Sequence, residues 1–425
     1  MTENVFDELR WRGLLYDHIE GTEQLLGTQK VTIYNGFDAT GDSLHVGHMV
    51  PLITLARLQR YGHHPIALAG GGTSMIGDPS GKAGERQLLS IAEVEANSES
   101  IKHQLERFLD FEVKSNPARV MNNASWLMEL NLVEFLRDVG KHFSVNYMVS
   151  KESVSTRLAR ESGISFTEFS YMLLQAYDYL YLFDHIGCRL QTGGSDQWGN
   201  ITAGVELIRR MRGENVYAMV YPLITKADGT KFGKTESGSV WLAPARTSPY
   251  RFYQFWLNTD DRDVIMYLKF FTFLARAEIE TLEQAVAARP EQREAQQALA
   301  RVMTETVHGP TALGRVEQAT QVLFGGEVTG LSAEEIQDIF AEVPSSELAK
   351  DQLSGGMNIV DLMAESGVTK SKGEARRLIA DGGAYLNNHR VGSVDELVEV
   401  QNLLEGRFLV LRKGRKNYHL VKVTG

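Results

Sequence analysis

The sequence predicts an α/β fold in which a Rossmann-like parallel-sheet domain precedes a helical domain and a small α+β domain. Residues 30–225 alternate short runs of β-branched and aromatic residues with longer stretches of helical periodicity, which is typical of parallel strands joined by crossover helices. Such runs are missing from residues 249–323, where Glu, Gln, Ala, Leu and Arg predominate. Residues 357–425 have two helix-like segments, then a turn and strand-like segments.

These patterns divide the chain into four segments. The α/β domain spans residues 1–240, the helical domain spans 241–325 and the C-terminal domain spans 357–425. We predict a linker over residues 326–356, because Gly- and Ser-containing stretches bracket a short helical connection there.

Composition places the chain among globular proteins. With 425 residues, 43% hydrophobic and 23% charged, it can bury a sizeable core. Since no apolar run approaches membrane-spanning length and the N-terminus lacks the apolar region of a signal peptide, we expect a cytoplasmic protein without a membrane partner. The single cysteine, Cys188, excludes an intramolecular disulfide and is predicted to be a core residue.

The charge is unevenly distributed. The net charge of −10 argues against nucleic-acid binding over the whole surface. Residues 370–425 contain eleven Lys and Arg against six Asp and Glu, a local +5, so that the rest of the chain carries −15. This tail is either a polyanion-binding surface or a solvated basic face, and charge alone leaves both open.

Two histidines stand where a strand meets a helix, in the stretch DATGDSLHVGHMVPL (38–52). The preceding run VTIYNGF has strand character, and Pro51, which is tolerated in the first turn of a helix, predicts a helix beginning close to Gly47. His45 and His48 then lie at a turn whose backbone N–H groups favour phosphate. A zinc site is disfavoured because the H-E-x-x-H glutamate is missing, whereas a helix-capping role stays open.

Two further glycine-rich segments carry cations. The first, AGGGTSMIGDPSGKAGER (69–86), lacks the glycine and hydroxyl spacing of a P-loop. The second, KADGTKFGKTESG (226–238), places Lys231 and Lys234 on a loop after a strand-like run, which suits gripping and releasing a polyphosphate. Taken alone, the segment is better interpreted as a solvated loop.

A polar stripe follows in FSYMLLQAYDYLYL (169–182). Tyr171, Gln175 and Asp178 are spaced i, i+4 and i+7, so they project from one face of a predicted helix. Because Tyr and Leu occupy its other faces, the stripe is predicted to line a pocket rather than to face solvent.

Together with QTGGSDQWGN (191–200), these motifs resemble the class I aminoacyl-tRNA synthetases, and within them the bacterial tyrosyl-tRNA synthetase family. HVGH matches the HIGH-type tetrapeptide of that class closely, and KFGKT matches the KMSKS-type loop loosely. The resemblance runs essentially end to end. It implies that tyrosine and ATP form tyrosyl-adenylate and pyrophosphate, after which tyrosyl passes to the 3′ end of tRNA(Tyr). A tryptophan-specific synthetase and a noncatalytic RNA-binding paralogue are the alternatives.

The resemblance also assigns roles to residues. It implies phenol recognition by Tyr34 and Asp178, and binding of the α-amino group by Asp78, Tyr171 and Gln175. The remaining implied substrate-binding residues are Gly36, Asp38 and Gln191. The implied phosphate-binding and catalytic residues are Thr40, His45, His48, Lys82, Arg86, Lys231, Lys234 and Thr235. The implied ATP-binding residues are His45, His48, Gly194, Asp196, Gln197 and Lys234, while Asn35 and Pro51 receive no firm role.

Partners follow from the same resemblance. It implies a homodimer, a helical domain on the anticodon side, and a C-terminal RNA-binding module. The basic residues predicted to meet tRNA phosphates are Lys370, Lys372, Arg376, Arg377, Arg412, Lys413, Arg415 and Lys416. We expect ATP to act as a substrate with Mg²⁺, without a protein metal cage or a tightly bound cofactor.

Overall fold

The computed structural model describes residues 4–39, 41–80, 90–161, 163–235, 238–323, 325–341, 343–414 and 417–425, with the backbone alone at residue 235. The chain divides into two compact units. The first comprises Met1–Thr247 with Trp256–Val307, and the second comprises Ser248–Phe255 with His308–Gly425.

The first unit is built on a sheet that, within the described residues, has six strands. They are β1 (Asp17–His18), β2 (Thr32–Phe37), β3 (His64–Ala69), β4 (Arg119–Asn122), β5 (Cys188–Gly194) and β6 (Tyr217–Tyr221). Their order is β1-β6-β5-β2-β3-β4, with all neighbours parallel except the short edge strand β1. The parallel sheet and its strand-like runs are therefore confirmed.

Helices connect and cover these strands. In the chain up to residue 247 they are α1 (Val5–Arg12), α2 (Thr22–Thr28), α3 (Met49–Arg60), α4 (Ile91–Leu105), α5 (Ala124–Leu127), α6 (Leu132–Asp138), α7 (Val145–Val149), α8 (Glu152–Leu158), α9 (Phe166–Ile186) and α10 (Trp198–Arg212). Helix α9 packs on α10 and β5 over a core that includes Cys188, which is fully buried as predicted. Burial raises the pKa of the Cys188 thiol to about 12.

The region predicted to be helical is helical. It contains α11 (Pro249–Leu257), α12 (Asp261–Phe271), α13 (Arg276–Ala288), α14 (Glu294–His308) and α15 (Pro310–Val322). Within the first unit, the buried Arg12 of α1 donates to the carbonyls of Lys269 and Thr272, both at 2.9 Å, at the end of α12. Arg57 of α3 also donates to Thr272, at 2.7 Å. Helix α12 is thereby tied to the α/β core instead of standing in a domain of its own.

The second unit contains α16 (Ala333–Ile339), α17 (Ile359–Glu365), α18 (Lys372–Ala380) and a mixed sheet. The strands are β9 (Ser345–Ala349), β11 (Ala384–Leu386), β12 (His389–Arg390), β14 (Phe408–Lys413) and β15 (Asn417–Thr424), in the order β12-β11-β14-β15-β9. Two shorter pairs join β10 (Met357–Asn358) to β13 (Leu397–Val398) and, in the first unit, β7 (Lys234–Thr235) to β8 (Gly238–Ser239).

The linker prediction over residues 326–356 is wrong in part. Residues 345–349 form β9, which pairs in parallel with β15 along the edge of the C-terminal sheet. Burial of Leu348 against the C-terminal core explains why this stretch is ordered. The C-terminal domain therefore begins before residue 357.

Among the described residues, no helix has the length and apolar character needed to cross a membrane.

Candidate active site

Several predicted site residues lie on neighbouring parallel strands of the sheet or directly after them. From β2 the chain continues to β3 and β4 on one side of the sheet, and from β5 it continues to β6 on the other side, so the strand order reverses between β2 and β5. Open α/β sheets bind ligands at such a switch point. Tyr34 on β2 and Gln191 on β5 are direct cross-strand partners there. Both are buried, with exposed fractions of 1% and 2%.

The predicted polar stripe lies on α9. Tyr171 and Asp178 are buried, and Gln175 is half-buried between them. The Asp178 carboxylate accepts hydrogen bonds from Asn123 Nδ2 at 2.9 Å and from Trp126 Nε1 at 2.8 Å. These two donors hold the carboxylate in one orientation, because each occupies a different oxygen.

Asn123 and Trp126 were not identified from the sequence. Asn123 directly follows β4, so its place at the carboxyl end of a parallel strand was a usable signal. Its Oδ1 accepts from Gly72 N at 2.7 Å, and its Nδ2 also contacts Thr73 Oγ1 at 3.0 Å. No sequence pattern marked Trp126.

Burial governs the charge of this pocket. Burial, with a smaller contribution from Asp38, raises the pKa of Asp178 to about 7 against the opposing effect of the bonds from Asn123 and Trp126. Burial and the nearby Asp178 raise the pKa of Tyr34 well above its usual value. Tyr34 is therefore a neutral hydroxyl, while Asp178 titrates near neutrality.

Buried polar atoms mark where a polar ligand fits. Within the described chain, Tyr34 Oη, Gln175 Oε1 and Gln191 Oε1 are buried and have no hydrogen-bond partner. Buried polar groups are normally paired, and leaving one unpaired typically costs about 1–3 kcal/mol. All three belong to residues predicted to contact the amino acid.

Glycine residues allow the backbone to lie close to the polar side chains of the pocket. Tyr171 Oη donates to Asp38 Oδ1 at 3.2 Å, just beyond β2. A Cβ on Gly70 would lie 2.8 Å from that same Asp38 oxygen and 2.7 Å from Thr73 Oγ1. Gly36 on β2 is exposed, with open space in front of its Cα.

A second polar group lies between the loop after β3 and the turn after β5. Asp78 accepts from Ser80 N at 2.9 Å and from Gln197 Nε2 at 2.7 Å. Gln197 belongs to the single turn Ser195–Gln197, for which Gly194 is the N-cap residue. Burial and the nearby Asp78 raise the pKa of Asp196 in that turn.

The two histidines lie at the predicted turn. A single 3₁₀ turn, Val46–His48, leads into α3, so the helix begins where Pro51 indicated. His45 Nδ1 accepts from Gly47 N at 3.0 Å, which is the capping role left open above, and His48 Nδ1 accepts from His45 N at 3.1 Å. Because each Nδ1 is an acceptor, the proton of each neutral ring lies on Nε2.

The KFGKT loop meets this turn. Val46 N donates to Val240 O at 2.9 Å, and Leu242 N donates to Leu44 O at 2.8 Å, so the chain after the loop pairs with the chain on both sides of His45. Gly233 has a positive φ of 76°, and a Cβ there would lie 2.7 Å from Val46 Cγ2. Lys231 and Lys234, which flank Phe232 and Gly233 in the sequence, are exposed.

Several predicted phosphate-binding residues lie outside the part of the chain that the structure describes. Thr40, Lys82 and Arg86 are not among the described residues, and neither is the side chain of Thr235. Asn35, which received no firm role, is buried and accepts from Thr192 Oγ1 at 3.1 Å and from Tyr221.

In the second unit the structure corrects one predicted RNA-binding residue. Arg412 is buried, and its guanidinium lies 3.9 Å from the ring centroid of Tyr385, so it packs inside the unit instead of facing solvent. Lys413 pairs with Glu374 at 2.6 Å, and Lys372 pairs with Asp361 at 2.9 Å.

Three other basic residues predicted to bind RNA are exposed at or next to α18. They are Lys370, Arg376 and Arg377, and within the described chain no ion pair involves them. Arg415 and Lys416 lie outside the described residues.

Two family models match the chain. The model of class I tRNA synthetases (W and Y) covers residues 27–325, and the C-terminal domain model of tyrosine–tRNA ligases of the SYY type covers residues 335–421. The second match begins before β9, in agreement with the corrected boundary. The fold and the histidine turn thus define a class I tRNA synthetase.

Similar proteins identify the family within this class of synthetases. A tyrosine–tRNA ligase of Roseiflexus castenholzii is 59% identical over 421 residues, and one of Geobacillus stearothermophilus is 53% identical over 422, each alignment covering 99% of both chains. A truncated mitochondrial tyrosyl-tRNA synthetase of Aspergillus nidulans superposes with a TM-score of 0.68 at 32% identity, covering 76% of this chain and 94% of its own. The chain belongs to the tyrosine–tRNA ligase family.

Tyrosine binding should weaken as the pH falls below about 7. The pKa of Asp178 is raised from 3.8 to about 7, so its carboxyl gains a proton as the pH falls through that value and ceases to be a purely acceptor group for a phenol hydroxyl. Equilibrium dialysis with tyrosine from about pH 6 to about pH 8 measures this. Asp178→Asn should remove the dependence, and an equally flat profile in the unaltered chain would contradict the assignment.

Proposed function

We propose that this tyrosine–tRNA ligase activates L-tyrosine with ATP, releasing pyrophosphate, and then transfers tyrosyl from the adenylate to the 3′ end of tRNA(Tyr). The observation that carries the proposal is the buried Asp178 carboxylate, oriented by two donors on the same side of the sheet as the Tyr34 hydroxyl. A phenol hydroxyl can donate to this carboxylate and at the same time accept from Tyr34 Oη, which has no partner among the described residues. The indole N–H of tryptophan can donate but cannot accept, so it would leave the Tyr34 hydroxyl proton unpaired, which disfavours the tryptophan alternative.

The α-ammonium group of the amino acid is assigned to the acceptor groups at the other end of the pocket. The α-ammonium is a donor, and Gln175 Oε1 is a buried acceptor without a partner among the described residues. Tyr171, Asp38 and Asp78 add acceptor oxygens around the same opening. We assign the α-ammonium to this group, with Gly36 leaving open space beside it.

ATP is assigned to the histidine turn and the KFGKT loop. Attack by the tyrosine carboxylate on the α-phosphate needs no covalent enzyme intermediate, so the protein aligns the reactants and stabilises the charge of the leaving pyrophosphate. Because each Nδ1 accepts a backbone N–H, His45 and His48 carry Nε2–H donors at a helix N-terminus, and Lys231 and Lys234 add positive charge on the adjoining loop. Thr40, Lys82, Arg86 and Thr235 are proposed to complete this set by resemblance.

The nucleoside end of ATP is assigned to the turn after β5. The backbone of Gly194 lies close to the Asp196 carboxylate there, since a Cβ on Gly194 would lie 2.6 Å from Asp196 Oδ1. Asp196 and Gln197 supply polar groups suited to ribose hydroxyls. ATP is proposed to enter as its magnesium complex, since Mg²⁺ commonly binds through substrate phosphates and water. In the described part of the chain, no group of three His, Cys, Asp or Glu side chains is arranged to hold a metal ion.

The tRNA contact is assigned to α18. Lys370, Arg376 and Arg377 form an exposed basic group in the segment whose net charge is +5, whereas Lys372 and Lys413 are partly neutralised by carboxylates. Arg415 and Lys416 remain part of this proposal by resemblance.

A homodimer is the proposed assembly. The short helix α6 buries none of its residues, although it contains Leu132, Val133 and Leu136, which are 69%, 71% and 49% exposed. Phe166, the first residue of α9, is 78% exposed. Exposed large apolar residues of this kind mark protein interfaces, and a second copy of the chain would cover them.

The cytoplasm is the proposed location, because tRNA and the ribosome it serves are found there. Fractionation of the source cells tests this, and recovery with the membrane fraction would contradict it.

Lys234→Ala should slow tyrosyl-adenylate formation by about 10² or more while changing tyrosine affinity little, because the lysine acts on the charge that develops as pyrophosphate leaves. Single-turnover adenylate formation and equilibrium tyrosine binding measure the two effects. Lys114→Ala, an exposed lysine outside both signature segments, is the control. An unchanged single-turnover rate would remove Lys234 from the mechanism.

Replacing both Arg376 and Arg377 by Ala should weaken tRNA charging and lower the slope of log affinity against log salt by roughly one to two, while tyrosine-dependent pyrophosphate exchange stays unchanged. The double variant Lys350→Ala with Lys422→Ala removes the same charge from the second unit outside α18. If both double variants behave alike across a salt series, α18 is a solvated basic face.

Phe166→Asp should shift the protein toward monomers, because a carboxylate would be buried in the proposed apolar interface. Sedimentation velocity over a range of protein concentrations measures the shift. Tyr16→Asp, at an aromatic residue that is 68% exposed elsewhere on the surface, is the matched control. A wild-type chain that is already monomeric at micromolar concentration would refute the dimer.

A further inference from the structure

Three aromatic rings stack outward from the pocket. The Tyr181 ring lies parallel to the Trp126 indole, with centroids 4.2 Å apart and planes 13° apart. On its other face lies His185, at 4.0 Å and 22°. Trp126 is buried, Tyr181 is half-buried and His185 is exposed, so the stack runs from the pocket wall to the surface.

The inner ring of the stack is the donor to Asp178. Trp126 Nε1 lies 2.8 Å from Asp178 Oδ1, so the direction of this bond depends on the plane of the indole. Trp126 stands on α5, a helix of four residues without a side-chain cap. Such a short helix provides little rigidity of its own.

Helix α9 holds the indole at two places. Asp178 and Tyr181 are three residues apart on α9 and therefore lie on the same side of the helix. The Asp178 carboxylate accepts a hydrogen bond from the edge of the Trp126 indole, and the Tyr181 ring stacks on the face of the same indole. The indole cannot tilt without breaking one of these contacts.

We propose that Tyr181 is a positioning residue for tyrosine specificity: by stacking on Trp126, it keeps the indole N–H aimed at Asp178 and thereby keeps the carboxylate aimed at the substrate phenol. This rests on the proposed role of Asp178 in phenol recognition. Tyr181 itself touches no substrate. It acts through Trp126.

Loss of the stack has two measurable consequences. A tilted indole lets the carboxylate rotate, which weakens binding of tyrosine but not of phenylalanine. The Trp126 bond also favours ionised Asp178, so its loss raises the pKa of the carboxyl and moves the acid limb of tyrosine activation to higher pH. Among the described residues, Asp38, Tyr34 and Tyr177 also interact with Asp178, and none of them is changed.

The test compares Tyr181→Leu with Tyr181→Phe in the full chain, by pyrophosphate exchange with tyrosine and with phenylalanine. We expect Tyr181→Leu to lower the ratio of the two kcat/KM values by about 3- to 10-fold, mainly through KM for tyrosine, and to shift the acid limb upward. Tyr181→Phe keeps the ring and should behave as the unaltered chain. Phe183→Leu, a half-buried aromatic of the same helix that lies near Arg189, is the matched control.

Trp126→Phe separates this proposal from the function on which it rests, because it removes the N–H donor and keeps an aromatic ring. If Trp126→Phe lowers the ratio and Tyr181→Leu does not, the positioning role is overturned and phenol recognition stands. If Trp126→Phe leaves the ratio unchanged, phenol recognition by the oriented carboxylate fails, and the positioning role fails with it.

Packing loss is controlled by a further variant. Tyr181→Met fills much of the ring volume without its flat face, so it repeats the comparison if Tyr181→Leu folds poorly. It should lower the ratio and shift the acid limb in the same direction. An acid limb unmoved in a folded Tyr181→Met variant would overturn the proposal.

Discussion

The pocket depends on one buried carboxylate. Asp178 is buried on α9, which raises the pKa of its carboxyl to about 7, and the bonds from Asn123 and Trp126 favour its ionised form against this burial. An isolated buried charge would be far too costly, so the surrounding loops must supply these donors. Gly72 N, in the loop after β3, donates to Asn123 Oδ1, so the neighbouring strands β3 and β4 together position one of the two donors.

The phosphate side of the site depends on a different constraint, a short stretch of backbone pairing. Val46 bonds to Val240 and Leu242 bonds to Leu44, so two signature segments separated by nearly two hundred residues form one surface. Gly233 is required at the contact, since a side chain there would strike Val46. The helix N-terminus and its two imidazoles thereby lie next to the loop that carries Lys231 and Lys234, where a polyphosphate is proposed to bind.

Periodicity and turn chemistry were sufficient to predict the parallel strands, the stripe on α9 and the start of α3 at the histidine turn. They succeed because each depends on residues close together in sequence. The linker over 326–356 was partly wrong because β9 is ordered by pairing with β15, a partner some seventy residues away. Arg412 was misassigned because charge in a sequence does not reveal burial, and its stacking on Tyr385 is a tertiary contact. Trp126 could not be found because only the fold brings its indole edge to Asp178.

The central claim is that the chain selects tyrosine by its phenol hydroxyl at the Tyr34 and Asp178 end of the pocket. The most direct test is the ratio of kcat/KM for tyrosine to that for phenylalanine in pyrophosphate exchange, measured for the unaltered chain and for Tyr34→Phe. Sites that hydrogen-bond a substrate hydroxyl, tyrosyl-tRNA synthetases among the known examples, reject the analogue lacking it by about 10⁴ or more. We expect a ratio of that order in the unaltered chain and a fall of about 5-fold in the variant, which corresponds to one hydrogen bond. A ratio near unity in the unaltered chain, or one that Tyr34→Phe leaves unchanged, would contradict the account.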